Sequence, residues 1–225
     1  YLKELEASEK IVRWSAGSPL ISAIERVEGA QTALRVALEK FHDRKPLAPG
    51  QNASQLRLQT GLDHTAFEKI VNHMIRERQI VKDGNVLRLA SHEIRFSAEE
   101  ETVKKNIEAA LLDVGLNTPN LQELATQFSE YPAQQIEETF YALLNLGRFI
   151  KVADGYFIHA DTFEKTLNFL TDYLQENEII TVAEFRELAK TSRKYAVPFL
   201  EYCDGQGITV REENHRRLRT PAQRK

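Results

Sequence analysis

Ile80-Val81-Lys82-Asp83-Gly84-Asn85-Val86-Leu87-Arg88-Leu89 is a pair of short apolar runs hinged on Asp-Gly. Asp-Gly between such runs predicts a tight hairpin, because glycine enters the positive-φ region at little steric cost. The same layout returns downstream, where Phe149-Ile150-Lys151-Val152 and Tyr156-Phe157-Ile158-His159 flank Asp154-Gly155. A third strand pair, Ile208-Thr209-Val210-Arg211 and Arg217-Leu218-Arg219, follows at similar spacing without the Asp-Gly hinge. The three strand starts, Ile80, Ile150 and Ile208, lie 70 and 58 positions apart. That spacing leaves room for three helices before each hairpin, so the repeat sets the domain count.

The helices are legible before each hairpin. In the first full copy Ala33, Leu34, Val36, Ala37, Leu38 and Phe41 form an apolar stripe that Lys45–Gly50 interrupts. A short helix over about 54–60 stops at Gly61, and Asp63 reads as the N-cap of one carrying Phe67, Ile70, Val71, Met74 and Ile75. In the second copy Val103, Ile107, Ala110 and Leu111 mark the first helix. Pro119 and Pro132 sit at the starts of the next two, which carry Leu121, Leu124 and Phe128, then Ile136, Phe140, Leu143 and Leu144. In the third copy Phe163, Leu167, Phe169, Leu170 and Tyr173 lie on the first helix, and Ile179-Ile180 is a short extended piece. Thr181 and Glu184 have capping-box spacing, and Ser192 caps a helix with Tyr195, Val197, Phe199, Leu200 and Tyr202.

Helix, helix–turn–helix and hairpin in this order describe a winged helix. The expected class is mostly α with small β-hairpins, α+β, as tandem winged-helix domains in an elongated array. The divisions are 1–30, 31–96, 97–160 and 161–225. The first would be the end of a truncated copy: Leu2–Ala7 finishes a helix, and Ile11-Val12-Arg13-Trp14 pairs with Leu20-Ile21 around Ala16-Gly17-Ser18. Tyr1-Leu2-Lys3-Glu4 reads as mid-helix without Met or cap, which predicts a fragment of a longer chain.

Composition narrows the function. The chain has 225 residues, 42% hydrophobic and 28% charged, with a formal net charge of −3, as in ordinary folded proteins. A single cysteine, Cys203, rules out an internal disulfide and a zinc ribbon, and suits a reducing cytoplasm. No apolar run is long enough to cross a bilayer, so no membrane partner is expected. Neither a Walker-type loop nor a dinucleotide fingerprint is present. The six histidines, His42, His64, His73, His92, His159 and His215, lack metal-ligand spacing. Neither an enzyme nor a cofactor is expected in this fragment.

The net charge hides an asymmetry. Residues 98–160 hold ten acids against four Lys/Arg, whereas residues 181–225 hold ten Lys/Arg against six acids. A basic end on an acidic body predicts that only the end meets a polyanion. Arg193 and Lys194 fall in the first turn of the last helix, where backbone N–H groups and the helix dipole favour phosphate. Arg211, His215, Arg216, Arg217 and Arg219 lie in or beside the last hairpin, where alternate side chains face opposite ways. Tyr195 and His215 can stack on an unpaired base, or be a core residue and an ordinary wing residue respectively. Tyr202 and Cys203 are expected in or near the core.

Three stretches become specific together. Thr181–Leu188 is followed by Thr191-Ser192-Arg193-Lys194-Tyr195-Ala196-Val197-Pro198-Phe199-Leu200-Glu201-Tyr202-Cys203-Asp204, then by Gly207–Arg211 and His215–Arg219. Together they resemble the C-terminal domain of bacterial SelB, the selenocysteine-specific translation elongation factor. The resemblance is strongest over the final third and extends weakly back through Phe96-Ser97-Ala98-Glu99-Glu100. It implies four tandem winged helices, of which the last binds an mRNA stem-loop that recodes UGA as selenocysteine. It implies that Arg193, Lys194, Arg211 and Arg216 hold phosphates, with Arg217 a further partner, and that Tyr195 and His215 lie near an unpaired base. It also implies a cytoplasmic monomer working with the ribosome. Selenocysteyl-tRNA and GTP would be bound by N-terminal domains outside this chain. Glu212-Glu213, two acids in the wing, sit awkwardly beside these contacts. Two other readings stay open on the residues alone: a DNA-binding winged-helix transcription regulator and a winged-helix protein-interaction scaffold.

Overall fold

In the computed structural model, residues 11–13 and 21–219 are described, and the chain divides between Phe96 and Ser97 into two compact units. Each unit is built from winged helices. The expected helix over Leu2–Ala7, the turn at 16–18, and Trp14 and Leu20 lie outside the described residues.

The first unit opens with strand Ile11–Arg13 paired antiparallel to Ile21–Ala23, Val12 opposite Ser22. Helix Ile24–Arg44 follows at once, so the division expected at residues 30 and 31 falls inside one continuous helix. Its Leu34 and Leu38 are buried against Leu56, Phe67, Ile70, Val71 and Met74 and against Ile80 and Leu87 of the hairpin. Helix Ala53–Thr60 starts where the Asn52 carboxamide accepts the N–H groups of Ser54 (2.9 Å) and Gln55 (3.3 Å). It stops at Gly61, whose φ of +67° is the left-handed conformation that ends a helix. Asp63 caps helix His64–Arg76 by accepting from Ala66 N at 3.0 Å. Strands Ile80–Asp83 and Val86–Leu89 pair across Gly84 and Asn85. A two-residue strand, Gln51–Asn52, adds to the free edge of Val86–Leu89. Gly50 permits that approach: a Cβ there would stand 2.6 Å from the Leu87 carbonyl oxygen.

The second unit holds two modules, residues 97–160, the third of the four divisions, and residues 161–225, the last. Capping boxes at Ser97/Glu100, Asn120/Glu123 and Thr181/Glu184 start helices Ala98–Asp113, Leu121–Gln127 and Val182–Leu188. Each cap satisfies two backbone donors that the first helical turn leaves orphaned. Pro132 and His159 precede helices Ala133–Asn145 and Ala160–Asn177, and the His159 ring nitrogen Nδ1 accepts from Asp161 N at 3.2 Å. The hairpin Phe149–Ala153 with Tyr156–His159 is two-stranded. In the last module, by contrast, Ile180–Thr181 forms a third strand on His215–Leu218, which pairs in turn with Thr209–Glu212. The missing strand has a physical reason. Pro119 stands one place before the Asn120 cap, where Ile180 stands before Thr181 and Gln51 before Asn52, and proline has no N–H to pair. The Thr118 hydroxyl donates to the Phe157 carbonyl instead, at 2.7 Å.

One hydrophobic core crosses from the third module into the last. Leu116, Val152, Tyr156 and Ile158 pack in the same cluster as Leu170, Leu174, Ile180, Phe185, Ala196, Phe199, Leu200 and Cys203. The division expected at residues 160 and 161 lies inside this unit, at the start of helix Ala160–Asn177. Among the described residues, no helix is long and apolar enough to cross a membrane.

Candidate nucleic-acid interface

Helix Arg193–Gly205 is the second helix of the last helix–turn–helix, the position of a recognition helix. Phe199, Leu200, Ala196 and Cys203 recur at helical spacing and are buried, which turns Lys194 outward, while Arg193 is exposed at the open start of the helix. Ser192 occupies the cap position in an extended conformation (φ −91°, ψ 165°), but its side chain makes no capping hydrogen bond. Its carbonyl accepts from Tyr195 N (3.1 Å) and Ala196 N (2.9 Å). The first-turn N–H groups at Arg193 and Lys194 therefore stand beside two cations without a capping oxygen, an arrangement that suits a phosphate.

The wing follows from the same helix. His215 pairs with Glu212, Arg216 with Arg211, Arg217 with Val210 and Leu218 with Thr209. Directly paired residues share a face of a sheet and neighbours along a strand alternate. Arg216 and Arg211 thus share one face, and His215, Arg217 and Glu212 share the other.

The core face decides the fate of Arg216. Its side chain is only 2% exposed, and its Nε donates to Asp204 Oδ2 at 2.9 Å. The other carboxylate oxygen of Asp204 accepts from the Thr209 hydroxyl at 2.6 Å. Asp204 lies in the last turn of the helix that Arg193 begins, eleven residues and so roughly 16 Å along the axis from it. The expectation that Arg216 holds phosphate beside Arg193 is therefore corrected: Arg216 is an interior residue that ties the wing to the helix end. Desolvation is the reason, since a buried guanidinium is tolerated only where a carboxylate meets it. Arg211, on the same face but nearer the tip, reaches solvent, and its Nε donates to the Glu213 carbonyl at 3.2 Å.

On the outer face Arg217 and His215 are half-buried and share one acid. Arg217 Nε donates to Glu212 Oε1 at 2.6 Å, and His215 Nε2 stands 3.7 Å from Glu212 Oε2. Glu213 occupies the turn with φ +50°, a conformation that costs a non-glycine residue on the order of 1 kcal/mol.

Tyr195 sits at the seam with the third module. Its ring lies 5.2 Å from that of Tyr156 at 48°, and Lys194 Nζ stands 5.0 Å over its face. Burial pushes the Tyr156 phenol up, and its hydroxyl donates to the Leu116 carbonyl at 3.0 Å. Asn117 binds the turn before the recognition helix, accepting from the Thr191 hydroxyl at 2.8 Å and donating to the Lys190 carbonyl at 3.4 Å. A cleft of about 370 Å³ opens beside Tyr195, between Asn120, Gly155, Lys194 and Pro198. Of the seven residues singled out in the sequence, Arg193, Lys194 and Arg211 are exposed. Tyr195, His215 and Arg217 are half-buried, and Arg216 is buried. Sequence reading missed Asp204, Thr209 and Asn117, whose roles depend on partners in other elements. Cys203 is buried, as expected, and burial pushes its thiol up to about 12.

Residues 35–89 and 172–218 each match a family model described as "Elongation factor SelB, winged helix". A selenocysteine-specific elongation factor from Desulfomicrobium baculatum is 22% identical over 195 residues, covering 86% of this chain and 31% of that protein. The chain thus spans about a third of the length of the curated relative it matches. A crystal structure of a bacterial selenocysteine-specific elongation factor aligns over 94% of this chain and 32% of its own, at 14% identity and a TM-score of 0.56. The mRNA-binding domain of E. coli elongation factor SelB, solved with SECIS RNA, aligns at 25% identity and a TM-score of 0.46, over 56% of this chain and all of that one.

Proposed function

We propose that this chain, which carries winged helices of the elongation factor SelB family, grips an mRNA stem-loop through its last module. It thereby holds a selenocysteine-specific elongation factor at the recoded codon. The observation that carries the reading is the exposed Arg193–Lys194 pair in the first turn of a recognition helix, inside a module matched by a SelB winged-helix model. Arg193, Lys194 and Arg211 hold stem phosphates in this reading. Tyr195 and His215 lie beside an unpaired base, which unlike a paired one offers its face for stacking. Nucleotide hydrolysis, delivery of selenocysteyl-tRNA and the ribosome contacts of the whole factor belong to the longer protein. Its place of work is the cytoplasm.

The test is a filter-binding titration of the full chain against an RNA stem-loop across a range of salt. Arg193→Ala is expected to cost about 1–3 kcal/mol and to reduce the salt slope by about 1. Unchanged affinity and slope would refute the assignment. Tighter binding to duplex DNA of equal charge would favour a transcription regulator instead, and salt-independent or absent binding would favour a protein scaffold.

A further inference from the structure

We infer that Glu212 sets the specificity of the wing by occupying, with its own carboxylate, the seat that a phosphate would take between Arg217 and His215. The inference rests on the reading of the last module as an RNA-gripping surface. The register places all three side chains on one face: Glu212 pairs with His215, and Arg217 is two positions further along the same strand. One carboxylate oxygen accepts from Arg217 Nε at 2.6 Å while the other faces His215 Nε2 at 3.7 Å. A phosphate offers the same kind of anionic oxygen to the same two donors.

The pair is half open to water, with side-chain exposures of 32% for Arg217 and 43% for Glu212. A pair so exposed is weak enough to be displaced. It is nonetheless strong enough to withhold Arg217 from a passing polyanion that makes no other contact. Specificity is a difference between affinities, and an internal acid lowers the affinity for the wrong ligand without touching the contacts to the right one. The neighbouring Glu213 plays no such part. It is exposed, and its backbone carbonyl, not its carboxylate, takes the Arg211 side chain.

The experiment uses the full chain and a blunt RNA duplex that has no loop, titrated at several salt concentrations. Glu212→Gln is expected to bind this duplex several-fold more tightly at low salt, with a salt slope steeper by about 1, because Arg217 now reaches a phosphate. Glu213→Gln is expected to gain little and to keep the original slope. The double variant Glu212→Gln/Arg217→Gln is expected to return to the original slope. Equal gains from Glu212→Gln and Glu213→Gln with no change of slope would overturn the inference, since general surface charge would then account for both. A gain that survives in the double variant would overturn it as well. If instead the unaltered chain and Arg193→Ala bind an RNA stem-loop with the same affinity and slope, the RNA-gripping reading itself fails, and the role of Glu212 falls with it.

Discussion

Asp204→Ala is expected to destabilise the second unit by about 3 kcal/mol, the lower end of the range for breaking a buried ion pair. The magnitude follows from which partner is left behind. Arg216 is 2% exposed, so losing Asp204 strands a guanidinium that water cannot reach. The Thr209 hydroxyl loses its acceptor in the same step, worth roughly 1 kcal/mol. Arg216→Met is expected to cost less, because the Asp204 side chain is 22% exposed and, once unpaired, is hydrated from that side while still accepting from Thr209. The double variant Asp204→Ala/Arg216→Met should recover most of the loss, since a buried pair replaced by apolar groups is often neutral. Urea unfolding of the full chain measures all three, read from the transition that belongs to the second unit. A loss below about 1 kcal/mol for Asp204→Ala would refute the reasoning, on the scale by which exposed pairs are judged. RNA binding supplies the second arm. Arg216→Met should leave the salt slope unchanged, whereas a phosphate-holding arginine would reduce it by about 1.

Three further outcomes follow from the geometry. Burial and the nearby His92 and Arg88 hold the His42 ring down at about 4, against an ordinary value of about 6.5. The unfolded chain takes up a proton that the folded unit refuses, so stability of the first unit should fall as pH drops from about 6.5 to about 4 and level off below. His42→Gln should flatten that slope in urea titrations, with the amide oxygen replacing the ring nitrogen that accepts from Leu89 N at 3.4 Å. A slope that persists unchanged in the variant would assign it to other groups. Gly50→Ala should destabilise the first unit by about 1–3 kcal/mol and lower its unfolding midpoint, because the new methyl meets a backbone carbonyl rather than a movable side chain. Cys203 should react with a thiol reagent only as the second unit unfolds, its thiol being buried and pushed up to about 12. Rapid labelling of the native chain would contradict the packing around helix Arg193–Gly205.

Most of the local architecture was written in short-range chemistry. Asp83-Gly84 and Asp154-Gly155 mark hairpins, and Thr181 with Glu184 or Asp63 alone starts a helix, because turns and caps are settled within four or five residues. The exposure of Lys194 was readable for the same reason, since the helical period puts Phe199, Leu200 and Cys203 on the opposite side, whereas Arg193 is on the buried side by period and is exposed because it begins the helix. The two-residue strands Gln51–Asn52 and Ile180–Thr181 were less legible, because two residues carry no period. Tertiary structure alone decided which wing arginine faces inward. Strand alternation separates Arg216 from Arg217 but does not say which face is the core, and the partner that makes burial affordable, Asp204, sits in another element. The union of the third and last modules was likewise a matter of packing. Tyr156 and Tyr195 each look like ordinary residues of their own module until the fold brings them together, because burial is a property of neighbours in space and not of neighbours in the chain.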